Sequence, residues 1–109
     1  MPRKVPAVAA AVDLVIFGAS GDLAHRKILP SLGHLVSRDG QSVRVIGASR
    51  SHKATSEFRD EVKASSGNEL LSSTAEWVRL EYADPSSYTP LKELLASSPC
   101  VIFYPATPP

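Results

Sequence analysis

Four short apolar runs divide the chain, and between them the hydrophobic positions change period. Residues 12–17 are nearly continuously apolar and end at a glycine, the pattern of a parallel strand buried on both faces. From Asp22 the period lengthens. Leu23, Ala24, Ile28, Leu32, Leu35 and Val36 recur at three- and four-residue spacing, which predicts one face of a helix. Pro30 falls inside that helix, where it removes the bond to the Arg26 carbonyl and should bend the element. Asp39-Gly40 ends it and turns the chain. Residues 43–47 predict a β-branched second strand. Residues 55–63 predict a helix with Phe58 and Val62 four apart, broken by Ser65-Ser66-Gly67-Asn68; residues 69–73 are ambiguous. A third strand is predicted at residues 77–82, where Arg79 and Glu81 interleave with Val78, Leu80 and Tyr82. Asp84-Pro85 supplies an acid at the cap and a proline at the first position of a helix. Leu91, Leu94 and Leu95 form its apolar face, and Pro90 offers a second start after Thr89. Residues 100–104 predict a fourth strand, and residues 105–109, three of them proline, stop it.

Strands alternating with helices build a parallel α/β sheet with right-handed crossovers and helices on both faces. A doubly wound order would set the first and fourth strands side by side. Ligands bind such sheets at that switch point, beyond the carboxyl ends of the strands. Composition fits this picture. The 109 residues are 43% hydrophobic with a formal net charge of +1 and no long run of one sign, so neither nucleic acid nor a membrane surface is an expected partner. One cysteine, Cys100, excludes an internal disulfide framework, fits a reducing compartment, and is expected in the core. The three histidines lack metal-ligand spacing, so no metal is expected; His34 and His52 read as surface residues. Arg3-Lys4 before an apolar stretch loosely imitates a secretory signal, but Pro6 interrupts it and Asp13 ends it. Residues 1–11 read as a flexible leader and residues 12–109 as one domain.

The chemistry gathers where the first strand becomes the first helix. Gly18-x-x-Gly21-x-x-Ala24 places small residues where a backbone without side chains can turn sharply and approach a pyrophosphate. The first turn of the helix then offers its N–H groups and its positive dipole end to the anion. Ser20 can add a hydroxyl donor, and Ala24 permits close helix–strand packing. This is a variant of the common dinucleotide-binding fingerprint, so a plain glycine turn stays open as the alternative. Asp22 reads as a helix cap, with its carboxylate pointing away from any phosphate. The second strand ends in Gly47-Ala48-Ser49-Arg50-Ser51, with no acid in reach for ribose hydroxyls. Arg50 can grip a 2′-phosphate bidentately, with Ser49 or Ser51 donating beside it, which favours NADP. The alternative is that Arg50 is a solvated surface arginine. For Arg26 and Lys27 a solvated helix face is the default, and packing is the first reading of Tyr82.

Val15-Ile16-Phe17-Gly18-Ala19-Ser20-Gly21-Asp22-Leu23-Ala24-His25-Arg26-Lys27-Ile28-Leu29-Pro30 closely resembles the opening of glucose-6-phosphate dehydrogenases. Weaker similarities follow in the same order at Val45 to Ser51, Asp84 to Leu91 and Phe103 to Pro109. The resemblance implies a Rossmann-like, doubly wound sheet of about four strands, incomplete at its C-terminal edge. It implies NADP as coenzyme, held by Gly18, Ala19, Ser20, Gly21, Asp22, Leu23, Ala24 and Arg50. Lys27 would lie beside the coenzyme phosphates, and Ala106 and Thr107 would pass the nicotinamide side. It also implies a cytoplasmic oxidoreductase of the pentose phosphate pathway, oxidising glucose 6-phosphate to 6-phosphogluconolactone, with homo-oligomers occurring in the family. Three departures bear on coenzyme affinity: His25 stands where the family has lysine, Pro105 replaces a large apolar residue, and the stretch between the second and third strands is short. No R-I-D-H-Y-like or E-K-P-like motif is present, so no catalytic residue is assigned and glucose 6-phosphate is a partner only of a full-length enzyme. The expectation is a truncated or fragmentary member, inactive alone. Two other readings compete: an NADP-binding module of the atypical short-chain reductase type, and a non-enzymatic fragment that associates through an open apolar edge.

Overall fold

The computed structural model describes residues 12–19, 21, 24–39 and 42–106. The expected leader and the turn at Gly40 lie outside the described residues. Four strands, β1 (Val12–Phe17), β2 (Val43–Ser49), β3 (Glu76–Arg79) and β4 (Val101–Pro105), form one sheet in the order β3-β2-β1-β4. Every pairing is parallel. The first and fourth strands are neighbours, as a doubly wound order requires. Between the strands run α1 (Leu29–Asp39), α2 (Thr55–Ser66) with α3 (Glu69–Thr74), and α4 (Thr89–Leu95).

Successive strand residues point to opposite faces, and two buried clusters follow. Leu14, Ile16, Val45 and Trp77 pack with Leu29, Val36, Phe58, Val62 and Leu71. On the other face Val15, Ile46, Ala48 and Val78 pack with Leu80 and Leu91. Thus α1, α2 and α3 cover one face and α4 covers the other. Burial of both faces explains why β1 and most of β2 read as continuous apolar runs rather than alternating ones.

Pro30 has an outcome other than a simple bend. A π-helical turn, Ala24–Ile28, precedes α1, and Pro30 is the second residue of α1. The wider turn accommodates a proline ring that would clash with the Arg26 carbonyl in a regular α-helix. The buried stripe keeps Ile28, Leu32 and Val36 against the core. Leu29 and Val36 are buried, whereas Leu35, expected on the apolar face, is 38% exposed. Gly33 lies on that stripe against α2, where a Cβ would clash with the Ser66 carbonyl oxygen.

The local punctuation holds elsewhere. Gly67 ends α2 with φ 66°, and the Asn68 side chain accepts a hydrogen bond from Leu71 N to cap α3, the left-handed and N-cap geometries suited to these residues. Asp84 caps a 3-10 turn, Pro85–Tyr88, and the α-helix restarts at Thr89. Two expectations for the last strand need correction. Cys100 is exposed rather than in the core. Pro105 lies within β4, paired with Phe17, rather than stopping it; β4 is an edge strand, where a missing N–H is tolerated. Ile102, Phe103 and Tyr104 are all more than 40% exposed on this edge.

Asp13 is an ion-pair residue as well as the end of an apolar run. Its carboxylate accepts from Arg44 Nε at 2.9 Å and Nη2 at 2.8 Å, while Arg44 Nη2 also donates to the Leu94 carbonyl at 2.7 Å. The pair arises because the β1–β2 register sets Asp13 opposite Arg44. The hydrogen bonds from Arg44 hold the Asp13 carboxyl below its ordinary range, against the opposing effect of burial, with Ser98 adding to the lowering. A carboxyl depressed in the folded state stabilises the fold at pH values above its unfolded value of 3.8. That contribution is lost as pH falls through the folded value. Urea midpoints should therefore fall as the pH drops below about 4. Asp13→Asn should flatten this dependence and lose about 1.5–3 kcal/mol at neutral pH, the range for hydrogen bonds to charged groups. An unchanged acid slope in the variant would refute the assignment.

Candidate functional site

The carboxyl ends of all four strands lie at one end of the sheet because every pairing is parallel. The chain runs outward from β1 to β2 and β3 and then crosses back to β4 on the other side of β1, and such a reversal of strand order opens a crevice beyond Phe17. The chain enters that crevice through a tightly fastened turn. Gly18 has φ 77°, a conformation that side chains disfavour. Gly18 N and Ala19 N both donate to the Ala48 carbonyl, at 2.8 and 3.3 Å, tying the turn to β2. Gly21 N donates to the Gly18 carbonyl at 3.0 Å, and a Cβ on Gly21 would lie 3.2 Å from that same oxygen. The turn therefore has little room for side chains, as close approach of a pyrophosphate requires. Ala19 and Ala24 are buried in the core under it, so the third small position packs as its spacing suggested. Ala106 closes the other side, with its N–H on the Phe17 carbonyl at 2.8 Å. Ser20, Asp22, Leu23 and Thr107 lie outside the described residues.

Lys27 and Arg50 occupy different surroundings. Lys27 is exposed and borders a groove of about 380 Å³ between α1 and Tyr104 of β4. Arg50 is exposed immediately after β2. Of the two serines expected as donors beside it, Ser51 is exposed, whereas Ser49 is 6% exposed and its hydroxyl accepts from Ser51 N at 3.1 Å. It shapes the loop from within. No acidic residue occurs in residues 47–55.

Sequence reasoning missed the supports of this loop. The Trp77 indole N–H donates to the Ser51 carbonyl at 3.2 Å, and Arg79 Nε donates to the Arg50 carbonyl at 3.0 Å. Lys53 lies 4.9 Å from the Trp77 ring centroid and bonds Glu61 at 2.7 Å. The available signal was the alternation in the third strand, but it gives no register, and register decides which groups meet. His25 approaches the same Glu61, with Nε2 at 3.6 Å. On the α4 face, Tyr82 is partly exposed and rests edge-on against Phe17 at 6.0 Å, beside an apolar hollow of about 450 Å³ also lined by Tyr88, Leu91 and Phe103. Among the described residues no group of His, Cys, Asp or Glu is arranged to hold a metal, and no helix is long and apolar enough to cross a membrane.

A parallel, doubly wound sheet whose first strand ends in a side-chain-poor turn at the switch point defines a dinucleotide-binding domain of the Rossmann type. The chain belongs to the glucose-6-phosphate dehydrogenase family: the profile of that enzyme's NAD binding domain matches residues 15–109. It is 32% identical over 110 residues to glucose-6-phosphate 1-dehydrogenase of Mycolicibacterium smegmatis, covering 87% of this chain and 22% of that protein. It is 35% identical over 105 residues to the enzyme of Borreliella burgdorferi, covering 89% and 22%. A solved glucose-6-phosphate dehydrogenase in complex with its substrate glucose-6-phosphate superposes with a TM-score of 0.78 at 26% identity, covering 89% of this chain and 24% of that one. The Mycobacterium avium enzyme, at 22% identity and a TM-score of 0.74, shares the fold. These likenesses favour the family over the short-chain reductase alternative. The chain spans about a fifth of the length of these curated relatives.

Proposed function

We propose that this chain is the NADP-binding portion of a cytoplasmic glucose-6-phosphate dehydrogenase. The full enzyme would oxidise glucose 6-phosphate to 6-phosphogluconolactone, as part of a homo-oligomer. The bound coenzyme would supply the hydride acceptor. The residues of this chain bind and orient it: the turn at Gly18, Ala19, Ser20, Gly21, Asp22, Leu23 and Ala24 receives the pyrophosphate, Lys27 lies toward its charge, and Ala106 and Thr107 flank the nicotinamide end. Catalytic residues and the sugar-phosphate site belong to the rest of the enzyme.

The observation that carries NADP over NAD is Arg50, an exposed guanidinium at the carboxyl end of β2 on a loop without acids. A planar fork there matches a phosphate, whereas a carboxylate would match ribose hydroxyls. Arg50→Ala should weaken NADP binding about ten- to hundredfold, the loss of one charge-assisted pair, and leave NAD binding nearly unchanged. Titration calorimetry with both coenzymes is the check, and equal losses would sink the 2′-phosphate role.

A further inference from the structure

We propose that Arg79 is a positioning residue for coenzyme discrimination: it fixes the backbone from which Arg50 reaches the 2′-phosphate. The inference rests on the NADP reading of Arg50. Three successive carbonyls, that of the last residue of β2 and two in the loop after it, are held from the third strand and its extension. Leu80 N donates to Ser49 O at 2.7 Å, Arg79 Nε to Arg50 O at 3.0 Å, and Trp77 Nε1 to Ser51 O at 3.2 Å. Ser51 N is held as well, by the Ser49 hydroxyl at 3.1 Å. The first bond continues the parallel ladder that sets Ser49 opposite Arg79. The other two are side-chain donations that the ladder alone would not supply.

The middle bond matters most, because it fixes the carbonyl of the residue whose side chain does the reading. A long side chain on a mobile loop loses conformational freedom when it grips a phosphate, and a loop fixed beforehand reduces that loss. Arg79 is itself exposed and stands 3.7 Å from Glu81 through Nη2. Its Nε–H serves the loop while its outer nitrogens face a carboxylate. Its contribution to NADP binding is thus the hydrogen bond, not its charge.

Glutamine separates the two. Its Nε2 stands as many bonds from Cα as arginine Nε, so Arg79→Gln keeps a donor at that reach and removes the charge. Methionine fills the same length without a donor. Calorimetry on the chain should show Arg79→Met weakening NADP binding about fivefold, the worth of one hydrogen bond, with Arg79→Gln near wild type and NAD binding unchanged in both. In an Arg50→Ala background Arg79→Met should cause no further loss. An equal loss in Arg79→Gln would show that charge carries the effect and overturn the proposal. So would a full additional loss in the double variant, or equal losses for NADP and NAD in Arg79→Met. Long-range NMR coupling between Arg79 Nε–H and the Arg50 carbonyl, measured without coenzyme, should be present; its absence also overturns the proposal. Failure of the underlying reading has its own signature, equal loss of both coenzymes in Arg50→Ala.

Discussion

Gly47→Val will destabilise the domain by about 3 kcal/mol, at the upper end of what overpacking a core typically costs. Gly47 is buried in the middle of β2. A Cβ there would stand 2.6 Å from Phe58 Cζ and 2.8 Å from Trp77 Cε3. The two rings pack at 5.0 Å between centroids, and Phe58 is fully buried, so neither ring has free space to enter. A typical domain has only about 5–15 kcal/mol of stability in all. Urea unfolding followed by circular dichroism is the measurement. Shortening Phe58 to leucine removes ring atoms nearest the intruding Cβ. The double variant Gly47→Ala/Phe58→Leu should therefore be less destabilised than the sum of its parts. Simple additivity would refute the clash. Trp77 also holds the Ser51 carbonyl, in the loop proposed to read the coenzyme phosphate, so a shifted Trp77 should weaken NADP binding beyond the loss of stability.

Gly18→Val will abolish binding of both NADP and NAD while the sheet still forms. The backbone at Gly18 has φ 77°, where an L-residue costs roughly 1–2 kcal/mol and a β-branched one is a steric outlier. That strain is local, since the turn's ties to Ala48 are backbone bonds. The binding loss is larger, because a side chain would occupy the approach proposed for the pyrophosphate. Calorimetry should show no binding of either coenzyme, with the far-ultraviolet spectrum retained. This contrasts with Arg50→Ala, which should affect NADP alone. Binding retained in Gly18→Val would refute the pyrophosphate role.

Much of this site was legible along the chain because its determinants are local. The end of a buried apolar run, two glycines three apart and a change of period are features of adjacent residues, and they marked the turn. Arg50 was legible for the same reason, lying directly after a β-branched run. The third strand was drawn too long, at residues 77–82 against the observed Glu76–Arg79, because alternation continues past the last residue that has a partner strand. Cys100 was expected in the core because its apolar character was visible but its place beside an edge strand was not.

The sequence by itself determined the kinds of element, their alternation, the side-chain-poor turn and the arginine after the second strand, because hydrophobic period, glycine freedom and proline geometry act over a few residues. Only the tertiary structure decided which groups meet across the sheet. The parallel register sets Asp13 against Arg44 and Ser49 against Arg79, and no local pattern encodes that offset. After the π-helical turn before Pro30, Leu29 lies in the core and Leu35 is exposed, a placement that spacing along the chain did not give. The support beneath Arg50 belongs to this second group: three carbonyls held from a strand some thirty residues away.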